Sequence, residues 1–317
     1  MGGLSGKATI IQQQREASAS SLLLLDAGKS FFKKNNHTQP QLTTALGIAN
    51  AYISMGYDAV AVSANDMKGD GLFFAQTLQD GLPWLSANLV DNTGATVAPT
   101  HLIKTVSSLK IALIGLTDTI SKKNKYSTIN YKSALTPLLR EIDSQCDIII
   151  LLSNLSGDVN KQIGRQFPAI NLIISSDKTL GKMAPMVINR TLITQTSRRG
   201  KYLGKLEIDW EGSNVWYNKR LRPLAELRKK DAAIGLQLAR LSEREHKQRS
   251  NLQKRISQLR LQKQRLLKEI NSRQIQEAEQ AGRPLNQHRL TFIPVLPKNS
   301  PREIEAIVEE ITNQLRR

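Results

Sequence analysis

A chain of 317 residues with 40% apolar composition has material for one large domain or two smaller ones with a real core, which excludes a disordered polypeptide. Its single cysteine, Cys146, excludes an intrachain disulfide and a cysteine-rich metal site, and its four histidines form no metal-binding cluster such as HExxH. The net charge of +18 favours an acidic partner and is unevenly spread: Lys and Arg exceed Asp and Glu by 23 to 11 from Lys219 onward, against 22 to 16 before it.

The opening, "MGGLSGKATIIQQQ", lacks the apolar core of a signal peptide. No apolar run approaches the roughly 18 residues of a membrane-spanning helix. As written, the chain is expected to stay where it is made. "ATIIQQQREAS" predicts a helix and "SLLLLDAG" a buried strand. That strand runs into Gly28-Lys29-Ser30, the ending of a phosphate-binding P-loop. A P-loop needs a glycine five residues before Gly28 so that backbone N–H groups can wrap the phosphates, and Leu23 stands there. The P-loop is excluded.

"TTALGIANAYISMG" predicts an amphipathic helix ending at Gly56. "DAVAVSAND" predicts a strand and "GLFFAQTLQ" a helix. "PWLSANLVD", "HLIKTVSSLKIALIGLTD" and "CDIIILLSN" supply further strands, with "SALTPLLREIDSQ" a helix between the last two. "INLIISSDKT", "PMVINRTLITQTS" and "YLGKLEIDW" predict hairpin-like β structure. Strands alternating with helices in this way predict a layered α/β domain over residues 1–218. Cys146, at the entrance to an apolar strand, reads as a packing residue. Polar residues such as Asp26, Asn65, Asn154 and Asp177 close several strands, where α/β domains usually build their sites.

The texture changes over 219–284, which is dense in Lys, Arg, Gln and Glu. Apolar residues recur at coiled-coil spacing, first at Leu227, Ile234, Leu238 and Leu241, then out of phase at Leu252, Ile256, Leu259, Leu266 and Ile270. A basic coiled-coil helical arm is predicted. It is either one helix with a stutter, about 90 Å long at 1.5 Å per residue, or a helical hairpin. Lys263 at a core position weakens a long dry seam. Residues 285–317 predict a strand, "RLTFIPVLP", and a final helix with Ser300 as cap, Pro301 at its first position and Glu303 completing the box.

The ordered series "GGLSGKATIIQQQR", "LLLLDAGKSFFKK", "MGYDAVAVSAND", "LPWLSANLVD", "KIALIGLTD", "DIIILLSNLSGD", "INLIISSDKT" and "RRGKYLGKLEIDW" resembles the 5′-nucleotidase family of metallophosphoesterases, in its bacterial UDP-sugar hydrolase-like branch. The resemblance covers about residues 2–210 and implies a layered αββα sandwich followed by the helical arm. It also implies a two-metal hydrolase whose bridging water becomes a hydroxide nucleophile. The metal-binding pattern of that family is nevertheless replaced position by position. The opening Asp-x-His motif would precede Gly2-Gly3 and has no counterpart, so the chain reads as an N-terminally shortened copy or as one whose start is not shown. The aspartate ending "DAGD" is Lys29. Ala64 stands for a metal-binding asparagine and Asn65 for a catalytic histidine. Asn154 replaces the histidine of "LSHLG", and Asp177 and Thr179 replace the two of Gly-His-x-His.

These replacements predict no catalytic residues, no metal and no cofactor. Two further possibilities stay open: Asp26, Asp66 and Asp177 holding a hard cation through oxygen, or Lys29 and Lys178 forming an anion pocket. The expected function is a non-catalytic scaffold or binding protein that meets a protein partner, or a second copy in a dimer, through the arm. A metal-dependent phosphoesterase with a reduced site is the first alternative. Nucleic-acid binding by Arg244, Lys247, Arg249, Lys254, Arg255 and Arg260 is the second, weakened by the absence of Phe, Tyr or Trp between Tyr217 and Phe292. The resemblance suggests a periplasmic location, because family members are usually exported.

Overall fold

Apolar runs too rich in Ile, Leu and Val to face water on either side should form parallel strands covered by helices. A computed structural model describes residues 3–18, 22–32, 38–120, 125–179, 181, 183–196, 200–213, 215–216, 227, 230–231, 233–235, 237–238, 250–280, 285–296 and 301–316. Its contacts divide the chain into two compact units, Met1–Ile208 with His288–Arg317, and Asp209–Gln287.

In the first unit, β1 (Leu25–Asp26), β2 (Ala59–Ala61) and β3 (Trp84–Leu85) form a parallel three-stranded sheet in that order. A six-stranded sheet holds β5 (His101–Val106), β6 (Leu109–Leu116), β8 (Ile148–Ser153), β9 (Leu172–Ser175), β10 (Met183–Ile188) and β11 (Thr191–Gln195), in the order β10-β11-β9-β8-β6-β5. Its four inner strands are parallel, and each edge is an antiparallel hairpin. The expected hairpin character therefore applies to β10–β11 only; β9 is a parallel strand between β8 and β11. A short antiparallel pair, β4 (Leu89–Asp91) with β7 (Tyr126–Thr128), adds a flap.

The strand in "SLLLLDAG" is shorter than its apolar run. Leu24 donates its N–H to the Asp58 carboxylate at 2.7 Å instead of to a neighbouring strand, so ladder pairing begins only at Leu25. The two sheets meet closely at Gly115 of β6, where a Cβ atom would lie 2.1 Å from the Leu85 carbonyl oxygen.

Helices α1 (Gly3–Ser18), α2 (Gln39–Ser54) and α3 (Leu72–Gln79) form where the sequence predicts them, and all pack into the core of the smaller sheet. Phe31, Phe73 and Trp84 stack there edge-on or tilted, and the Trp84 indole donates to Thr77 at 3.0 Å. Helix α4 (Tyr131–Ile142) covers the larger sheet with Leu135 and Ile142 fully buried, and the half-buried Cys146 joins that core. Helix α5 (Gly157–Gln166) is not legible in the sequence. Only Val159 and Ile163 are strongly apolar in its ten residues, and its existence depends on the Ser156 cap and on Gly164 letting it sit against Thr191.

Strand β12 (Tyr202–Asp209) pairs with β13 (Gln287–Pro294), and the last helix, Arg302–Arg316, packs on α2, burying Ile304. Gly47 permits that approach, since a Cβ there would lie 2.2 Å from the Ile311 side chain. His288–Arg317, which holds most of that strand and the last helix, thus packs with the first unit rather than as a separate piece. Ser300, the expected cap, lies outside the described residues.

In the second unit, α6 (Ser250–Gln280) buries Ile256, Leu266 and Ile270, and Leu227 and Ile234 pack with the last two of these in one apolar cluster bordered by Leu238 and Leu259. In a single straight helix Ile234 and Leu266 would stand about 48 Å apart at 1.5 Å per residue. The continuous 90 Å helix is therefore excluded, and two helical stretches lie side by side. Lys263 at the seam faces Asp231 at 3.9 Å, which answers the oddity of a lysine at a core position. In the same unit Asn286 is fully buried: it accepts from the Glu211 N–H at 2.8 Å and donates to the Ser213 carbonyl. Leu241 lies outside the described residues.

Candidate functional site

Parallel strands deliver their C-terminal ends to one rim, so the loops after β1, β2, β6, β8 and β9 meet. The hydrogen bonds between them are direct. Asn154, after β8, donates its side-chain amide to the Ala27 carbonyl at 2.9 Å, and Ser176, after β9, donates to the same carbonyl at 2.8 Å. Asp118, after β6, accepts from the Ala64 N–H at 2.7 Å.

At their meeting point stands the Lys29 ammonium. It donates to the Asn154 carbonyl at 2.6 Å and lies 3.1 Å from the Asp118 carboxylate, with only 11% of its side chain exposed. The backbone is bent to put it there: Gly28 has φ +89° and Lys29 has φ +65°, a left-handed conformation that costs a lysine on the order of 1 kcal/mol. At Gly28 a Cβ would lie 2.5 Å from the Ala61 carbonyl oxygen and 2.7 Å from the Asn154 amide nitrogen. Phe31 and Phe32, both buried, anchor the loop downstream.

The carboxylates of the rim have different surroundings. Asp26 accepts from the Gly28 N–H and from the Ser30 and Tyr52 hydroxyls at 2.7, 2.8 and 2.9 Å, and Tyr52 accepts in turn from Lys7 at 2.9 Å. Burial and the Asp26 charge raise the Tyr52 hydroxyl well above its ordinary range. Asp66 is fully buried, and burial pushes its carboxyl up to about 7, with Asp118 and Asp26 adding to the rise and two hydrogen bonds from Ser63 opposing it. Burial acts in the same direction on Asp177. There the N–H groups of Thr179 and Gly157, the Thr179 hydroxyl and the Lys29 charge outweigh it, and the carboxyl ends below its usual value. Lys178 is exposed.

The two-metal centre implied by the resemblance does not fit these side chains. The positions expected to ligate carry Lys29, Ala64, Asn65, Asn154, Asp177 and Thr179, and an ammonium occupies the meeting point of the loops. An ammonium repels a cation. Asp177 is folded onto Thr179 and Gly157. Among the described residues no three His, Cys, Asp or Glu side chains are grouped so as to hold a metal ion. The two candidate anion contacts also differ, because Lys29 is committed to Asp118 and Asn154 while Lys178 points to water. Asp118 is a site residue that sequence reasoning does not single out. Its signal is the same as that of its neighbours, a polar residue closing an apolar strand, "KIALIGLTD".

On the second unit, Lys254, Arg255 and Arg260 are exposed on α6, whereas Arg244, Lys247 and Arg249 lie outside the described residues. Among the described residues, no helix is long and apolar enough to cross a membrane.

No family model matches the chain. It is 25% identical over 132 residues to the uncharacterized metallophosphoesterase YunD of Bacillus subtilis (strain 168), covering 40% of this chain and 29% of that protein. Its fold matches the sulfate thiohydrolase SoxB of Thermus thermophilus at a TM-score of 0.66 and 15% identity, over 98% of this chain and 47% of SoxB. It also matches a 5′-nucleotidase precursor of Thermus thermophilus at a TM-score of 0.55 and 18% identity, over 67% of this chain and 46% of that one. The chain spans less than half the length of each of these proteins. Its fold is that of these metallophosphoesterase and 5′-nucleotidase structures, and over those 132 residues its sequence is similar to a metallophosphoesterase.

Proposed function

We propose that this chain is a catalytically inactive member of that fold which acts as a scaffold or binding protein, with its helical unit as the surface offered to a protein partner. One observation carries the proposal: the Lys29 ammonium, bonded to Asp118 and to the Asn154 carbonyl, sits where the strand-end loops converge. A site that clamps a phosphate between cations has no use for a fixed positive side chain at its centre. Self-association through a heptad seam loses its support, because Leu227 and Ile234 already pack with Leu266 and Ile270 within one chain. The outer face of the helical unit is what is left for a partner.

Calorimetric titration of the chelator-treated protein with Mn²⁺ and Zn²⁺, with phosphate-ester turnover followed in the same samples, tests this. No saturable binding and no turnover is the expected result. Binding of about two ions with turnover would establish the reduced-site phosphoesterase instead.

The exposed Lys254, Arg255 and Arg260 favour a second reading, nucleic-acid binding through the phosphate backbone. Binding to arbitrary duplexes that weakens steeply with salt, and is lost on replacing these three residues by glutamine, would support it.

A further inference from the structure

We propose that Lys29 is the built-in counter-ion of the head: a side-chain ammonium neutralises the converging strand-end loops and lets them assemble without a divalent metal. The inference rests on the non-catalytic reading above and adds to it a physical role for the residue that displaced a ligand.

Three observations converge on it. The first is the charge inventory around the ammonium. Asp26 on its own loop, Asp118 after β6 and Asp177 after β9 surround the rim, and Asp177 is buried; Asp66 after β2 is buried too, but burial favours its protonated form. Of the cations on these elements, Lys7 of α1 is turned to Tyr52, Lys178 is exposed, and Lys68 stands in the β2 loop two residues after Asp66. Lys29 is bonded to a rim carboxylate, Asp118. Carboxylates drawn out of water need a compensating charge.

The second is reach. Through one side chain Lys29 joins the β1 loop to the loops after β6 and β8, and the amide of Asn154 returns the link to Ala27. The third is backbone conformation. A lysine held at φ +65° beside a glycine at φ +89° is sustained only where surrounding contacts over-determine it.

Thermal unfolding of the full chain, in chelator and in Mn²⁺, with Lys29→Met, Asp118→Asn and the double variant, is the test. Methionine keeps most of the stem and deletes the charge. The wild-type midpoint should be the same in both solutions. Lys29→Met should lower it by about 5–10 °C. The double variant should be no less stable than Lys29→Met alone, because removing the Asp118 charge relieves the imbalance that the first change creates. Strictly additive losses in the double variant, or a Lys29→Met midpoint equal to wild type, would overturn the inference.

If Lys29→Met does not fold, Asp118→Asn compared with Asp118→Asn/Lys29→Gln decides it by the same criterion. A folded double variant supports a charge role; one that fails to fold where Asp118→Asn folds overturns it. Turnover by the wild type in Mn²⁺ would sink the proposed function, whereas additive losses without turnover sink only the counter-ion.

Discussion

The loops after β1 and β9 start from nearly the same chemistry and end differently. Each contains an aspartate with a lysine close behind it, Asp26 and Lys29 in one, Asp177 and Lys178 in the other. In the first, two left-handed residues swing the lysine inward, where it meets Asp118. In the second, the aspartate folds back onto the backbone of Thr179 and Gly157, its own N–H is taken by Gln195 at 2.9 Å, and the lysine faces water. Residue type does not decide whether a charge becomes part of the interior. Backbone conformation and the partner within reach decide it.

The widest gap between the two loops should appear when their lysines are compared. Lys29→Met should cost about 3 kcal/mol in chemical denaturation, and Lys178→Met should leave stability unchanged within error. Equal losses would erase the distinction.

Next in size is Gly28→Ala, at about 2–3 kcal/mol, from the unfavourable φ and the approach to the Ala61 carbonyl. A neutral result would mean that the β1 loop is not held in its observed conformation.

Asp177→Ala should cost about 1–3 kcal/mol at pH 7, because the N–H groups of Gly157 and Thr179 lose their acceptor. The carboxyl of Asp177 is lowered in the folded state, so its contribution is present at neutral pH and is lost as pH falls below the ordinary carboxylate range. Asp66 has the opposite sign. Its folded value of about 7 lies above that of the unfolded chain, so the folded state holds the extra proton and stability declines as pH rises from about 4 to 7. Asp66→Asn should flatten that decline without touching the acid limb assigned to Asp177. Denaturation midpoints between pH 3 and 8 for the two variants separate the effects.

The smallest effect concerns Cys146. Burial and the neighbouring Asp143 raise its thiol, so alkylation of the native protein should be slow compared with the unfolded chain. Rapid native labelling would place the thiol outside the core in which it is found.

Periodicity makes most strands and helices readable, because each is defined by neighbours a few residues away. Helix α5 is not readable, since its apolar face is only Val159 and Ile163 and the rest of its burial falls on Gly164 and Asn160. The positions Lys29, Ala64, Asn65, Asn154, Asp177 and Thr179, where the resemblance expects metal ligands, are picked out residue by residue from that resemblance and from nothing else. Asp118 is not, because nothing local distinguishes it from any other polar strand ending.

The sequence by itself determined the layered α/β head, the change to a basic helical segment and the kinds of side chain at each strand end, since composition and short-range spacing carry that information. Only the tertiary structure decided that Leu227 and Ile234 pack with Leu266 and Ile270, and that the last strand and helix pack with the head. It also decided that Lys29 turns inward to a carbonyl 125 residues away. Such pairings are chosen by the fold as a whole: a charge or an apolar face takes the partner that the packed strands and helices bring within a few ångströms, and chain distance has no part in the choice.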